Sequence, residues 1–169
     1  MEVLLPLLQA LRDPYIFFPL LFIYSLLVAV VLPTPVEVAL IPLMAQPAFY
    51  GVAALTLGAG KATGSWIIFL LGVKVDKIIE KTSSRFFPIR KLTDFCVWFV
   101  SKTSYVGLFI LLTLPFMSDT VPLYVYSLFN HEGEILTARY FIFTNFLAGV
   151  NRALILLIVL FALGLNLLL

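Results

Sequence analysis

Long uncharged runs, rather than interrupted apolar stripes, dominate the pattern of residues along this chain. There are 23 uncharged residues between Asp13 and Glu37, and another 23 between Glu37 and Lys61. A helix that crosses the hydrocarbon core of a bilayer needs about 20 predominantly apolar residues. The pattern therefore predicts membrane-spanning helices instead of the amphipathic helices of a soluble bundle.

Prolines break two of the apolar stretches, one in each half of the chain. Residues 33–47 contain four prolines, and residues 104–129 contain two. Proline lacks a backbone donor and disrupts the interior of a helix. Non-helical backbone at membrane depth is tolerated only where protein or a wet cavity satisfies its polar groups. We therefore expect two broken helices or re-entrant hairpins, with the hairpin prolines Pro33, Pro35, Pro42, Pro115 and Pro122.

The remaining long apolar stretches predict regular helices. Residues 49–73 form one such stretch, and residues 137–169 form the last. Small residues four positions apart let two membrane helices approach closely. The first stretch should pack in this way through its four glycines Gly58, Gly60, Gly64 and Gly72.

The two halves of the chain share one order of elements. In each half a proline is followed four residues later by an acid, Glu37 or Asp119, and then by a long helix with a central base, Lys61 or Arg152. Inverted repeats of this kind recur in secondary transporters, whose site lies near the midplane. The predicted fold is an all-α polytopic membrane domain of two inverted-repeat-like halves, each a proline-broken re-entrant hairpin plus a transmembrane helix. Its predicted parts are an interfacial helix 1–13, a first half 14–73, a linker 74–103 and a second half 104–169.

Composition and charge agree with a membrane location and suggest an orientation. Of the 169 residues, 62% are hydrophobic and 12% are charged, and the mean hydropathy is +1.10. Seven basic residues fall within 74–102, which we expect to be a basic loop with an amphipathic helix at the aromatic stretch 95–100. By the positive-inside rule this segment faces the cytoplasm. The expected location is a prokaryotic plasma membrane.

Four charged residues lie inside the predicted membrane stretches, namely Glu37, Lys61, Asp119 and Arg152. One such charge costs about 2.5 to 3.5 kcal/mol at the bilayer centre on insertion scales, so the four should pair in the protein interior. In a functional interpretation Lys61 and Arg152, together with Arg139, bind an anionic substrate, while Glu37 and Asp119 relay protons or coordinate a cation. The alternative is two ion pairs that are only structural.

Several other chemistries are excluded or disfavoured. The chain has one cysteine, Cys96, and one histidine, His131, so neither a disulfide within the chain nor a cysteine or histidine metal cluster is available. Gly60-Lys61 does not belong to a phosphate-binding loop, because Leu55 occupies the first glycine position of that motif. We expect a protein that is not an enzyme, has no cofactor and does not bind nucleic acid.

The first half contains a proline-acid hairpin followed by a glycine-rich helix. Its distinctive residues are Leu32-Pro33-Thr34-Pro35-Val36-Glu37, Gly58-Ala59, Gly64-Ser65-Trp66, Phe69 and Gly72. These motifs resemble the DedA family, also called the VTT or SNARE-associated domain. The resemblance covers about residues 20–165 and is strongest over 32–72.

This resemblance implies a lipid-handling protein with two re-entrant hairpins. Bacterial members are linked to flipping of polyprenyl-phosphate carriers driven by ion gradients, and eukaryotic relatives to phospholipid scrambling. Three charged positions of the family are occupied here by Ser65, Leu112 and Ser118. The candidates to replace them are Asp119, Arg139 and Arg152.

The leading functional prediction is a DedA-type flippase for an anionic lipid carrier, such as a polyprenyl phosphate or a phospholipid, coupled to a proton or cation gradient. Membrane lipids would be its partners, and homo-oligomerisation is left open. Two alternatives remain. One is an exporter of small cations of the multidrug type, and the other is a structural membrane protein whose buried charges only pair.

Overall fold

Five helices make up the regular structure of the described part of the chain. The computed structural model describes residues 13–32, 34–36, 39–40, 49–83, 87–130 and 135–162, and it describes their side chains except at 73–93 and 160–162. Within these residues all regular secondary structure is helical. The helices are α1 (Pro14–Val30), α2 (Tyr50–Ser83), α3 (Phe87–Thr113), α4 (Thr120–Leu128) and α5 (Ala138–Ala162).

The structure is that of a helical membrane protein. Three helical segments are long and apolar enough to cross a bilayer, namely Tyr50–Gly72, Asp94–Thr113 and Ala138–Val159. Large apolar side chains also cover the outside of the described helices, as at Trp66 and Ile158, which are 52% and 66% exposed. Soluble proteins rarely expose so continuous an apolar surface, whereas the lipid of a bilayer covers such a surface.

The chain leaves its helices at both predicted breaks. Helix α1 begins at Pro14, where the Asp13 carboxylate accepts a hydrogen bond from the Tyr15 backbone N–H at 3.0 Å. It ends at Val30, just before the proline-rich stretch, and α3 ends at Thr113, just before Pro115. Both ends follow from the loss of a backbone donor at proline and from the restriction on the preceding residue.

Helix α2 is the centre of the fold because α1 and α5 both pack along it. Against α5 the contacts run in opposite order, from Phe69 with Phe141 near one end to Tyr50, whose hydroxyl donates to the Ala153 carbonyl, at the other. The two helices are therefore antiparallel. The contacts between α1 and α2 rise in residue number along both helices, so α1 runs parallel to α2. The contacts that show it are Phe18 with Phe49, Ser25 with Gly60, and Ala29 with Gly64.

All four glycines predicted for helix packing lie at such contacts. A Cβ atom on Gly58 would come within 2.9 Å of Val150, and one on Gly60 within 2.5 Å of the Phe22 carbonyl oxygen. A Cβ atom on Gly64 would lie 2.7 Å from that of Ala29, and one on Gly72 would overlap Ser127. Only glycine permits these backbones to approach so closely.

Helices α3 and α4 form a pair that turns back on itself. The Tyr126 ring of α4 packs edge-on against Phe99 of α3, and its hydroxyl lies 2.6 Å from that of Thr103. The next residue, Ser104, has φ 46° and ψ −143°, so α3 bends sharply there. At the far end of α4, the Ser127 hydroxyl donates to the Ile68 carbonyl of α2 at 2.8 Å.

The linker prediction was wrong in one respect, because 74–102 is mostly helix rather than loop. Helix α2 continues to Ser83, and α3 begins at Phe87. No glycine or proline lies between 73 and 83, so nothing in the sequence ends α2 at the membrane boundary. The predicted interfacial helix 1–13 lies, apart from Asp13, outside the described residues.

Candidate functional site

Three charged side chains meet in the interior of the described bundle. Lys61, Asp119 and Arg152 are 0%, 1% and 1% exposed, and they come from α2, from the residue before α4, and from α5. Lys61 stands at the midpoint of the apolar stretch Tyr50–Gly72. We call these three residues the ion cluster.

Asp119 is shared by the two bases. Its Oδ2 atom lies 3.0 Å from Lys61 Nζ, and its Oδ1 atom accepts a hydrogen bond from Arg152 Nη1 at 2.7 Å. The other guanidinium nitrogen, Nη2, donates to the Met117 carbonyl at 2.6 Å. Arg152 thus binds both the carboxylate and the backbone of the broken segment, because the planar guanidinium presents two nitrogen donors side by side. The two bases together form a binding position, here called the seat, for an anion that has two oxygen atoms.

The break between α3 and α4 brings Asp119 to this position. Phe116 adopts a left-handed conformation, with φ 61°, which reverses the chain before α4 starts. Asp119 occupies the N-cap position of α4, but its side chain makes no capping hydrogen bond. It is directed to the bases instead. Its negative charge is still favoured there by the positive end of the helix dipole.

The two broken segments meet beside the ion cluster. The Thr120 hydroxyl donates to the Val28 carbonyl at 2.9 Å and lies 3.3 Å from the Leu32 carbonyl, while the Tyr124 hydroxyl donates to the Val30 carbonyl at 3.1 Å. The last carbonyl groups of a helix have no partner within it. Helix α4 therefore satisfies the end of α1, and the two halves of the chain are joined where both are interrupted.

One predicted binding residue lies elsewhere. Arg139 is exposed in the first turn of α5 and is 13 residues before Arg152, which is about 20 Å along a helix. It is not part of the ion cluster, so the structure does not bring it together with Lys61 and Arg152, and its role in substrate binding stays a prediction. The charge of Arg139 at a helix end is compatible with a position at the edge of the membrane.

The prolines and the second acid divide between described and undescribed parts of the chain. Glu37, Pro33 and Pro42 lie outside the described residues. Pro35 follows α1, and its carbonyl accepts a hydrogen bond from Tyr24 at 3.3 Å. Pro115 lies in the break after α3, whereas Pro122 lies in the first turn of α4, where a backbone donor has no helical acceptor.

Two residues of α5 that sequence reasoning did not select also contact Lys61. Asn145 is fully buried, and its Nδ2 atom donates to the Lys61 carbonyl at 2.7 Å. A Cβ atom on Gly149 would lie 3.0 Å from Lys61 Cδ. Asn145, Gly149 and Arg152 follow the spacing i, i+4 and i+7, which places them on one face of a helix. The sequence signal that could have identified Asn145 and Gly149 is this spacing, counted toward the N-terminus from the intramembrane Arg152.

Polar atoms without hydrogen-bond partners accompany the cluster. Within the described part of the chain they include Asn145 Oδ1, Thr113 Oγ1 and Ser118 Oγ, all buried. Buried polar atoms of this kind normally bind protein groups, ordered water or a ligand. Among the described residues no group of three or more histidine, cysteine or acidic side chains could hold a metal ion.

Comparison with protein-family models, with curated proteins and with solved structures gives no match to this chain. The sequence, the fold and the geometry of the ion cluster are therefore the basis of the functional argument.

Proposed function

We propose that this protein is a DedA-type transporter that moves the phosphate headgroup of an anionic lipid across the membrane. Lys61 and Arg152 bind the headgroup, and Asp119 is the resident anion that the phosphate displaces. The observation that carries this proposal is the sharing of one buried carboxylate by two buried bases, at 3.0 and 2.7 Å.

A phosphate fits the seat that Asp119 occupies. Arginine and lysine donate hydrogen bonds to phosphate oxygens as they do to carboxylate oxygens, so two oxygens of one phosphate can replace Oδ1 and Oδ2 of Asp119. An exchange of one oxyanion for another keeps both bases compensated. It therefore avoids the large cost of leaving either base buried and unpaired.

The alternatives are less well supported by the same geometry. In a cation exporter Asp119 would have to bind the substrate, but two bases already contact this carboxylate and their charges oppose the approach of a cation. In a purely structural cluster the neighbouring polar atoms should be satisfied by the protein. Asn145 Oδ1, Thr113 Oγ1 and Ser118 Oγ are instead buried without partners in the described part of the chain.

The order of contacts supports an inverted repeat of two opposed re-entrant hairpins. Helix α1 runs parallel to α2 and stops beside α4, after which the chain returns to Phe49 at the start of α2. Helix α3 approaches from the other end of α2 and stops before Asp119, and α4 returns to Ile68. The tips of both hairpins would then lie at the depth of Lys61. Transporters built in this way place their site between the repeats.

Coupling to an ion gradient follows from the exchange. Once a phosphate occupies the two bases, Asp119 loses both partners and becomes the group that takes up a proton or a cation. By linkage, the ion and the lipid then influence each other's binding equally. Glu37 is the second candidate for this role and lies outside the described residues.

Lipid transport in reconstituted vesicles tests the proposal. Vesicles would contain a short-chain fluorescent phosphatidic acid or a polyprenyl phosphate, and a phosphatidylcholine would serve as the neutral comparison. We expect the native protein to speed the movement of the phosphate lipids, and Lys61→Met and Arg152→Met each to reduce that rate by about tenfold or more, as loss of a buried charge contact does. Lys102→Met alters an exposed base outside the cluster and should retain the native rate.

Two results would contradict the proposal. One is equal movement of phosphate lipids with the native protein and with both cluster variants. The other is transport of an organic cation such as tetraphenylphosphonium in place of phosphate lipids, which would favour the exporter.

A further inference from the structure

We infer that Asn145 and Gly149 are positioning residues that fix where the Lys61 ammonium group stands. The inference rests on the proposed function for its effect on transport, but the geometry that it describes can be measured without transport. Asn145 holds the backbone of Lys61, Gly149 accommodates its side chain, and Arg152 holds its partner Asp119. Residues on one face of α5 thus contact the backbone, the side chain and the ionic partner of Lys61.

The Asn145 hydrogen bond sets the register between α2 and α5. Where the two helices cross, Gly58 and Gly149 face each other, since a Cβ atom on Gly149 would lie 3.2 Å from Gly58 Cα. Glycines bring helices close together, but they carry no side chain that would prevent sliding along the axis. A directional hydrogen bond from Asn145 to the Lys61 carbonyl, at 2.7 Å, supplies that restraint at the residue where the depth matters.

The absent side chain of Gly149 leaves room for the stem of Lys61. Lysine has a flexible four-carbon stem, so burial alone does not decide where its charge lies. A methyl group at 149 would stand 3.0 Å from Lys61 Cδ, closer than ordinary contact, and would displace the stem. The space over Gly149 therefore directs the ammonium group along α5 toward Asp119.

The chemistry at position 145 suits a neutral amide. Its nitrogen must face the Lys61 carbonyl, since the amide oxygen would be repelled there, and this assigns the orientation of the group. A carboxylate at this position could not donate to the carbonyl and would compete with Asp119 for the lysine. A neutral donor avoids that competition.

Solid-state NMR of the reconstituted protein tests the inference through two correlations, Lys61 Nζ with the Asp119 carboxyl carbon and the Arg152 guanidinium with the same carbon. We expect both in the native protein. In Asn145→Leu, which keeps the branching at Cγ and the number of side-chain heavy atoms but removes the donor, the lysine correlation should disappear while the arginine correlation remains. Gly149→Ala should act in the same way. The matched controls are Asn151→Leu, one residue before Arg152, and Gly51→Ala, where a Cβ atom meets nothing within 4 Å.

Each other outcome overturns the inference. If both correlations persist in Asn145→Leu and Gly149→Ala, these residues do not position Lys61. If both disappear, they support the fold as a whole. Loss of the lysine correlation in a control would remove the specificity of the effect. Where the proposed function also holds, Asn145→Leu should raise the lipid concentration for half-maximal transport by about tenfold, and Asn145→Gln, which keeps the donor, should recover part of it. A native protein that shows the expected correlations but moves no phosphate lipid would refute the proposed function alone.

Discussion

At the scale of single residues, Asp119 links two buried bases in the described interior of this protein. Each contact is favourable only while the carboxylate remains ionised and in place. The paired arrangement explains how Lys61 and Arg152 can be 0% and 1% exposed within the apolar stretches Tyr50–Gly72 and Ala138–Val159. The same arrangement makes the cluster sensitive to the loss of one member.

Asp119→Asn should therefore strongly destabilise the protein. The amide has almost the same size but no charge, so it leaves both bases without their shared counter-charge, a change that typically costs about 3 to 5 kcal/mol. The free energy of unfolding in detergent micelles measures the effect. Asp94→Asn makes the same substitution at an exposed position and should change stability by about 1 kcal/mol or less. Similar values for the two variants would show that the carboxylate is not needed for stability.

Arg152→Lys should not behave as a conservative change. Arg152 binds the Asp119 carboxylate through Nη1 and the Met117 carbonyl through Nη2, and a lysine ammonium group cannot reproduce that fork. We expect at least about a tenfold loss of phosphate-lipid transport, measured in vesicles, although the charge is retained. Arg139→Lys, in the exposed first turn of α5, should keep the native rate. Equal rates for Arg152→Lys and the native protein would mean that only charge matters at this position.

At the scale of helices, the meeting of the two broken segments compensates for backbone groups that the prolines leave without partners. Thr120 and Tyr124 donate to carbonyls at the end of α1. In lipid no water is available to replace these donors. The hydroxyl groups of α4 are thus part of what allows the chain to leave a helix at this depth.

Thr120→Val tests this role by removing a hydroxyl without changing the shape of the side chain. The Val28 carbonyl loses its donor, and we expect the free energy of unfolding to fall by about 0.6 to 2 kcal/mol, the range for hydrogen bonds between membrane helices. Thr56→Val is the matched control, since Thr56 donates only to the Val52 carbonyl of its own helix at 2.8 Å. A control that is destabilised as much as Thr120→Val would argue against an effect of the contact between the halves.

The sequence predicted the features that depend on local chemistry. Charge spacing and hydropathy predicted the apolar stretches of α2 and α5, but not that of α3, which begins at Asp94 inside the predicted linker. Proline predicted the ends of α1 and α3, because a missing backbone donor has a local effect. The glycines of α2 were also selected correctly as points of close approach. These are properties of a residue and its immediate neighbours.

Features that depend on partners distant in sequence could not be predicted. Pairing of Lys61 with Asp119 joins residues 58 positions apart, and which acid meets which base is decided only by packing. The separation of Arg139 from the ion cluster depends on where α5 begins, at Ala138, and the sequence pattern did not specify that residue. Asn145 was not selected because only its helical spacing from Arg152 marks it, and its hydrogen bond goes to a backbone carbonyl of another helix, which the spacing alone does not show.

At the scale of the whole molecule, the order of contacts and the distribution of charge together specify a topology. The seven basic residues between 74 and 102 favour a cytoplasmic position for the α2–α3 connection. If α3 and α4 form a re-entrant hairpin, the start of α5 lies on this same side. If α3 instead crossed the membrane, α5 would start on the opposite side, and Phe141 could not contact Phe69 near the C-terminal end of the apolar stretch of α2.

Labelling of single cysteines distinguishes these topologies in a chain that carries Cys96→Ser. Lys81→Cys reports the side of the membrane on which α2 ends, and Arg139→Cys reports the side on which α5 starts. Gly51→Cys reports the side on which α2 starts, where the space around the side chain is open. With an impermeant maleimide we expect the first two to react only in inverted vesicles, because the positive-inside rule predicts a cytoplasmic position for both. Gly51→Cys should react only in intact cells. Reaction of Lys81→Cys from outside would overturn the orientation. Reaction of Lys81→Cys and Arg139→Cys from opposite sides would instead overturn the re-entrant hairpin, and with it the inverted repeat that places both hairpin tips at Lys61.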